Sequence, residues 1–212
     1  MDELWNKNDR ADALKMQANN MQSSYIENKG NGHFVIKPLP IDAQTAPVYG
    51  MLGEDVDGDG NLDIVMFGND FSLEPYSGRH DAFNGLCLKG DGKGNFRAIP
   101  LTETGFFVKG DAKGLALIYT AKNEDILLAS QNQDGLKVFA KSISRDKLND
   151  KWISLKPDDL FAEVLYKNNK KRRLEFYYGS TYLSQSSRKI KMDKEAIKIT
   201  ITNFKGIKRV IK

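Results

Sequence analysis

A ladder of acidic residues between positions 55 and 63 constrains the fold of this 212-residue chain more than any other feature. Its four carboxylates fall within nine residues, mostly at alternating positions, and belong to Asp55, Asp57, Asp59 and Asp63. The apolar segment 64–67 follows directly and is typical of a buried strand. Four like charges at this spacing repel one another, so an ordered turn must bind a cation or raise the pKa values of its carboxyl groups. The ladder therefore predicts a metal-binding turn that leads into a strand.

The ligand chemistry of this turn favours Ca²⁺. Dense carboxylate oxygens suit calcium, which accepts many oxygen ligands in flexible geometry, better than Mg²⁺, which retains more of its own water. The predicted ligands are Asp55, Asp57, Asp59, Asn61 through its backbone carbonyl, and Asp63. Met66 stands where an EF-hand loop would end in a bidentate Glu, so we expect a short strand-flanking calcium loop instead. A metal-free turn is the alternative, because turns favour Asp and Gly for local reasons.

The composition indicates a globular protein. Hydrophobic residues make up 40% of the chain, which is ordinary for a domain with a packed core. No apolar run reaches the length of a membrane span, and the first residues lack the basic and apolar regions of an export signal. The single cysteine, Cys87, excludes an internal disulfide and is predicted to be a small buried apolar residue.

Charge divides the chain into two parts. Residues 1–140 carry 13 Lys/Arg and 20 Asp/Glu, whereas residues 141–212 carry 19 and 8. Such a step indicates a change of domain. We therefore expect one domain over 1–141 and a basic domain over 150–212, with the boundary in the polar segment 142–150.

Short strands dominate the predicted secondary structure. One helix is expected over 9–20, where Ala11, Leu14 and Ala18 share a face. Strands are expected at 24–27, 33–37, 48–52, 62–67, 85–89, 96–100, 115–120, 125–129 and 136–140. Glycine, asparagine and aspartate separate these segments, as in a sandwich, a barrel or a propeller.

An internal repeat narrows this choice. The glycine-rich segment 28–34 recurs at 90–96, so that Phe34 returns as Phe96 after 62 residues, and proline follows both copies, at 38 and 40 in the first and at 100 in the second. A hairpin that delivers one aromatic residue into a strand is thus present twice. The insertion 70–83 lengthens the period beyond the usual propeller value of about 40–50 residues.

Four segments resemble parts of a known family. The loop 55–63 with the segment 64–69 resembles the calcium loop and following strand of FG-GAP/VCBS repeats, which build integrin-α-like β-propellers. The hairpins 28–34 and 90–96 look like the hairpin that those repeats place before their last strand. The segment 178–188, which contains Tyr-Leu-Ser-Gln-Ser-Ser-Arg, is similar to the ASPIC/UnbV region that follows such propellers.

The resemblance implies a fold and a location. It implies an all-β protein with about two to three partial propeller blades, a small antiparallel β unit after them, and a short N-terminal helix. Because a propeller has typically four to eight blades, we expect the chain to be the C-terminal part of a longer protein, or a shortened reading frame. Relatives are secreted or lipid-anchored, so the parent protein is expected outside the cell or at its surface. A noncatalytic calcium-stabilised module for binding, adhesion or scaffolding follows, with a protein or glycan as its unidentified partner.

The basic tail offers a second hypothesis. Segments 160–166 and 171–178, and later 196–202 and 206–211, predict antiparallel hairpins with lysines on the exposed face. The charged run 170–173 beside Phe176, Tyr177 and Tyr178 resembles a nucleic-acid platform. Lysines on edge strands also prevent aggregation, and this explanation is preferred, so nucleic acid is not the favoured partner.

Catalytic motifs are missing from the sequence. The two histidines, His33 and His80, lie 47 residues apart, and no zinc-protease, nucleophile-elbow or nucleotide-binding motif is present. An accessory role in a carbohydrate-active protein remains a third hypothesis. Long loops often carry contacts, which makes Phe71, Tyr76 and Arg79 in the insertion, together with His80, candidate binding residues. We expect a protein that is not an enzyme.

Overall fold

The computed structural model of the protein describes residues 13–14, 16–120, 124–140, 152–192 and 195–211. Over these ranges the protein is all-β, with fifteen strands, one short α-helix and one 3₁₀ turn. All strand pairs are antiparallel, and none of the described sheets closes into a barrel. The chain divides into two compact units, Met1–Leu39 and Pro40–Lys212. The predicted fold class of partial blades followed by a small β unit is confirmed at this level.

The first unit contains a two-stranded hairpin, formed by β1 (Ser24–Gly30) and β2 (His33–Pro38). Asn31 and Gly32 form its tight turn with φ angles of 51° and 76°. This left-handed conformation is the one that an Asn-Gly hairpin turn requires, because its twist matches that of the flanking strands. Both strands lie where the sequence predicted them.

A four-stranded sheet opens the second unit, in the order β3-β4-β5-β6. Its strands are β3 (Val48–Glu54), β4 (Asp63–Gly68), β5 (Leu86–Gly90) and β6 (Phe96–Ile99). A 3₁₀ turn, Ile41–Gln44, precedes β3. The interior strand β4 buries Val65, Met66 and Phe67, as its unbroken apolar sequence predicted.

A three-stranded sheet follows, in the order β7-β8-β9. The helix α1 (Leu101–Thr104) leads from β6 towards β7 (Ala112–Tyr119), which is followed by β8 (Asp125–Gln131) and β9 (Asp134–Ala140). At Gly50 on β3 an added Cβ would lie 2.8 Å from the Cβ of Leu115 on β7. The glycine therefore permits the close contact between these two sheets.

The C-terminal part of the second unit contains two further sheets. Strands β10 (Trp152–Ser154) and β13 (Lys189–Lys191) form a pair. The other sheet has the order β12-β11-β14-β15, formed by β11 (Asp159–Tyr166), β12 (Lys171–Glu175), β14 (Ala196–Asn203) and β15 (Lys208–Val210). The two sheets share one core cluster of buried residues, Ile153, Ala162, Val164, Ile190, Ala196, Ile199 and Ile201. The sequence predicted the two hairpins but not β10 and β13, because three residues are too few to show alternation.

Two further predictions concern residues that the structure describes in part or not at all. Residues 13–14 and 16–20 carry no helix, so the helix predicted over 9–20 is wrong there, and its other residues lie outside the described ranges. A helix of this length is stable only when its apolar face packs against another element, and the side chain of Leu14 is 85% exposed. The proposed domain boundary at 142–150 also lies outside the described ranges.

The internal repeat is visible in the strand pairing. In β1–β2 Asn28 pairs with Phe34, and in β5–β6 Gly90 pairs with Phe96, in the same register 62 positions later. In each copy a proline then precedes a short helical turn. Two more strands follow, β3–β4 in the first copy and β7–β8 in the second. Each copy thus contributes two successive strand pairs in the order of the chain.

Candidate metal centre

The acidic turn joins β3 to β4 in the first four-stranded sheet. Glu54 at the end of β3 pairs with Asp63 at the start of β4, and the ladder lies between them. Gly58 and Gly60 have φ angles of 84° and 86°, which other residues adopt only with strain. The alternation of aspartate and glycine thus has a geometric basis as well as an electrostatic one.

Asp63 ties this turn to the sheet. Its side chain is fully buried, and its two oxygens accept hydrogen bonds from the backbone N–H groups of Val56, at 2.8 Å, and Gly90, at 2.9 Å. The first bond holds the turn, and the second joins it to the end of β5. A buried carboxylate is stable in a protein only when such partners compensate its lost hydration.

Backbone N–H groups also hold the outer carboxylates. Asp55 accepts hydrogen bonds from Gly58 at 2.6 Å and from Gly60 at 3.0 Å. Asp57 accepts one from the N–H of Asp59 at 3.1 Å. These bonds hold the Asp55 and Asp57 side chains against the backbone of the turn.

Three of the predicted ligands converge. Asp55, Asp57 and Asp63 each offer a carboxylate oxygen, and these three oxygens lie within 4.8 Å of one another. Asp63 is buried, whereas the side chain of Asp57 is open to solvent. The candidate metal centre is therefore buried at Asp63 and accessible to solvent at Asp57.

The remaining two predicted ligands have other contacts. Asp59 forms an ion pair with Lys89 at 2.8 Å and accepts a hydrogen bond from the N–H of Asn61 at 2.8 Å. The side-chain oxygen of Asn61 lies beside Gly92, where an added Cβ would approach it to 2.3 Å. The role predicted for Asn61 concerned its backbone carbonyl and stays a prediction.

Lys89, on β5, is a charged partner that sequence reasoning missed. Its ammonium forms ion pairs with both Asp57 and Asp59. This hydrogen bonding to Lys89 is the main cause that lowers the pKa of Asp57 and of Asp59, and the same pairs raise the pKa of Lys89. The expectation that a metal-free ladder must raise its carboxyl pKa values is therefore wrong for these two groups. A lysine on a strand distant in sequence compensates their charge.

The donor set fits a hard divalent cation. All three converging groups are carboxylates, the ligand type that calcium prefers. The hydrogen bonds to Asp55 and Asp63 come from backbone N–H groups, and a carboxylate oxygen has further lone pairs for a metal. Three carboxylates are fewer than a complete calcium shell, so backbone carbonyls or water would supply the other oxygens.

The insertion after β4 forms a closed loop. Asp70 and His80 exchange two backbone hydrogen bonds of 2.9 Å across its base. Arg79 lies over the ring of Phe71, with its guanidinium carbon 4.8 Å from the ring centroid. Tyr76 at the tip is 96% exposed. The candidate contact residues of the sequence analysis thus lie on one loop, with the tyrosine fully presented to solvent.

A second charged cluster, formed by Tyr49, Asp70, Asp111 and Lys113, lies at the base of this loop. The hydroxyl of Tyr49 donates to Asp70 at 2.9 Å, and this bond raises the tyrosine pKa. Lys113 lies 2.8 Å from Asp111, donates to the carbonyl of Asn69 at 3.0 Å and sits 3.8 Å from the Tyr49 ring centroid. The lysine and tyrosine remain protonated near neutral pH, so their contacts serve to fasten β7 to the loop base.

Cys87 has the buried position that the sequence predicted. It is 3% exposed on β5, and burial raises the pKa of its thiol to about 11. A nucleophilic cysteine needs a thiolate, and this one remains a thiol at physiological pH.

The segment 180–188 contacts β7 through hydroxyl groups. The N–H groups of Leu115 and Leu117 donate to the side chains of Thr181, at 3.1 Å, and Ser186, at 3.0 Å. At Gly114 an added Cβ would lie 3.1 Å from the carbonyl oxygen of Tyr182, so the glycine permits this close approach. These side chains satisfy the edge of β7 that faces away from β8. The Ser/Thr-rich motif noted in the sequence is thus an edge cover in the structure.

Arg188 ends this segment and fixes it to the C-terminal sheets. Its guanidinium donates to the carbonyl groups of Phe176, Tyr177, Lys156 and Asp159, at 2.9–3.3 Å. It also lies 4.1 Å from the ring centroid of Tyr178. One face of that ring is therefore occupied, and Phe176 packs against the core cluster. Tyr177 and Tyr178 are 65% and 66% exposed, and the aromatic platform for nucleic acid stays a prediction.

Comparisons with known proteins add no family assignment. No protein-family model matches the chain, and no curated protein matches it either. Within the described part of the chain, no helix combines the length and the apolar character that a membrane span needs.

Proposed function

We propose that this protein is a noncatalytic β-propeller module of the FG-GAP/VCBS type, whose β3–β4 turn is stabilised by Ca²⁺ and which serves binding, adhesion or scaffolding outside the cell. The convergence of the Asp55, Asp57 and Asp63 carboxylates carries this proposal. The antiparallel sheets and the repeated hairpin register support the propeller part of it.

The ion's role in this proposal is structural. The turn begins and ends at β3 and β4, and its buried aspartate is bonded to β5, so a cation among its oxygens would brace three strands at once. Binding to the folded state alone raises stability by RT ln(1 + [L]/Kd), which is about 2.7 kcal/mol at a hundredfold excess over Kd. Calcium should therefore act on the unfolding of the whole sheet.

Thermal unfolding with calcium and with a chelator tests the proposal. We expect a midpoint several degrees higher in millimolar Ca²⁺, and a smaller shift in Mg²⁺ because it dehydrates reluctantly. Asp55→Asn and Asp57→Asn should each remove the calcium-dependent shift. Titration calorimetry should show one binding event in the parent protein and none in the variants.

Asp125→Asn is the matched control, because Asp125 begins β8 as Asp63 begins β4. That variant should keep the full calcium shift. Coincident melting curves for the parent protein in calcium and in chelator would contradict the structural role of the ion.

Binding of a polyanion through the C-terminal sheet is a second candidate function. Leu165 pairs with Lys171 on one side and with Lys198 on the other, so both lysines project from one sheet face. Both are exposed. Retention of a single-stranded oligonucleotide or a sulfated glycan should then fall steeply with salt, and Lys171→Gln/Lys198→Gln should weaken it. Salt-independent or absent retention would dismiss this candidate.

A further inference from the structure

Three loops meet at one end of the C-terminal four-stranded sheet. Because its strands are antiparallel, β11 and β15 begin at this end, and β12 and β14 finish there. The residues at this end are 155–158 before β11, 176–178 after β12, and 204–207 between β14 and β15. Two hydrogen bonds tie the first loop to the other two: the N–H of Phe204 donates to the carbonyl of Asp158 at 3.1 Å, and the hydroxyl of Tyr178 donates to the carbonyl of Pro157 at 2.8 Å. These three segments form what we call the loop end of the sheet.

The loop end exposes large apolar and aromatic side chains. Phe204 and Ile207 in the β14–β15 turn are 65% and 63% exposed, and Tyr177 and Tyr178 in the neighbouring loop are exposed to a similar degree. Exposed apolar side chains that gather in one place mark an interaction site more often than a solvated surface.

Asn203 holds the β14–β15 turn in one conformation. Its side-chain oxygen accepts hydrogen bonds from the N–H groups of Lys205, at 3.1 Å, and Ile207, at 2.9 Å, and its amide nitrogen donates to the carboxylate of Asp158 at 2.9 Å. Gly206 completes the turn with a φ angle of 77°. A turn fixed in this way presents its apolar side chains ready to bind, because little conformational entropy remains to be lost.

Lysines accompany these apolar side chains. The ammonium of Lys205 lies 5.8 Å from the ring centroid of Phe204, and the exposed Lys208 directly follows Ile207. No ion pair among the described residues includes either lysine. Lysine can bury its aliphatic stem along an apolar surface while its charged end stays in water. The turn therefore combines an apolar tip with two cations at its border.

We propose that the loop end binds the surface of an anionic lipid bilayer. Phe204 and Ile207 enter the boundary between headgroups and acyl chains, Tyr177 lies at the level of the headgroups, and Lys205 and Lys208 contact lipid phosphates. This set of side chains is the one that the interface of a bilayer accommodates.

Shape and charge favour a bilayer over a peptide as the occupant. The tip of a hairpin turn is convex and suits a plane better than it suits an extended chain, which needs a groove or a strand edge. Residues 141–212 carry 19 Lys/Arg against 8 Asp/Glu, and such an excess attracts this part of the chain to a negative lipid surface. The proposal does not depend on calcium binding by the turn 55–63.

Sedimentation of the full chain with lipid vesicles tests the proposal. In chelator, the protein should sediment with vesicles of equal parts phosphatidylglycerol and phosphatidylcholine, and it should remain in solution with phosphatidylcholine alone. Phe204→Ser/Ile207→Ser should weaken binding at least about tenfold, because the apolar area that enters the bilayer is lost. Lys205→Gln/Lys208→Gln should weaken it to a similar extent. Leu136→Ser, which removes an exposed apolar side chain from β9, is the matched control and should bind like the parent protein.

Fluorescence quenching locates the contact. Phe204→Trp should retain binding, and lipids brominated on their acyl chains should quench its emission more than that of the parent protein. Binding without this additional quenching would overturn the proposal, as would unchanged binding of Phe204→Ser/Ile207→Ser. A marked fall in the melting temperature of that double variant would show that the chain's own residues cover the tip, and it would also overturn the proposal. Displacement from vesicles by a soluble oligonucleotide, together with full binding of the serine variant, would indicate a polyanion site instead.

Discussion

The turn between β3 and β4 and the turn between β7 and β8 occupy the same place in the two copies of the repeat, yet their chemistry differs. The first turn holds four aspartates and a buried carboxylate bonded to the neighbouring strand. In the second, Tyr119 pairs with Asp125, and Thr120 and Glu124 close the hairpin through backbone and side-chain hydrogen bonds of 3.0 and 3.1 Å. A hairpin of this repeat therefore closes without an acidic ladder. The ladder is therefore not needed to close a hairpin of this repeat, and Lys89 compensates the charge of two of its carboxylates.

Removal of the buried carboxylate of Asp63 should produce the largest difference in stability between the two turns. Asp63→Ala leaves the N–H groups of Val56 and Gly90 without their partners, and we expect a loss of about 2–4 kcal/mol in the free energy of unfolding. Asp125→Ala, at the equivalent place in the second copy, should cost less than about 1 kcal/mol. Urea unfolding in chelator measures both. Equal losses would show that the two turns depend equally on Asp63 and Asp125, the aspartates that begin β4 and β8.

The edge cover of β7 should give the next largest effect. Thr181→Val and Ser186→Ala each remove a hydroxyl acceptor from a backbone N–H of β7, and we expect about 1–2 kcal/mol for each. The exposed Ser77→Ala in the insertion serves as the control and should be close to neutral. Urea midpoints unchanged by both edge substitutions would mean that water replaces the hydroxyls on β7.

Acidification should weaken the first turn. The pKa values of Asp57 and Asp59 are lowered in the folded protein, chiefly by Lys89, so their contribution to stability is present above the ordinary carboxyl pKa of about 4 and is lost as the pH falls below it. Stability measured in chelator between pH 7 and pH 3 should decline along this range. Lys89→Met should make the decline shallower, since other carboxylates would then account for all of it. Parallel pH profiles for the two proteins would contradict this assignment.

Replacement of Lys89 should have the smallest effect on stability, and it tests whether the lysine competes with a metal ion. Lys89→Met should lower the melting temperature slightly in chelator, because exposed ion pairs contribute little. It should enlarge the calcium-dependent shift, since the ammonium no longer competes for Asp57. Lys93→Met, in the next turn, is the control and should change neither quantity. A calcium shift that shrinks in Lys89→Met would show that the lysine assists the metal site instead.

Local features of the fold were predictable from sequence, whereas features that depend on strand pairing were not. The apolar run of β4 and the glycine-rich hairpin around Asn31-Gly32 are each recognisable from a few consecutive residues, and the structure has them where expected. The contact of Lys89 with the acidic turn joins residues about 30 positions apart, through a pairing of β4 with β5 that no local pattern specifies. The ion pairs of Lys89 with Asp57 and with Asp59 both depend on this pairing. The repeat contains one sign of this contact, because Lys89 stands at the position where the first copy has the acidic residue Glu27.

The hydroxyl-rich segment 180–188 has a consequence for how the second unit comes apart. In sequence it lies between β12 and β13, but its bonds reach β7 and its terminal arginine holds the loops around β11. Melting of the basic C-terminal sheets would therefore remove the hydroxyl groups that bind the outer edge of β7, in the sheet that precedes them. These contacts join the sheets before and after segment 142–150 within the second unit, Pro40–Lys212, which should cross its unfolding transition in a single step.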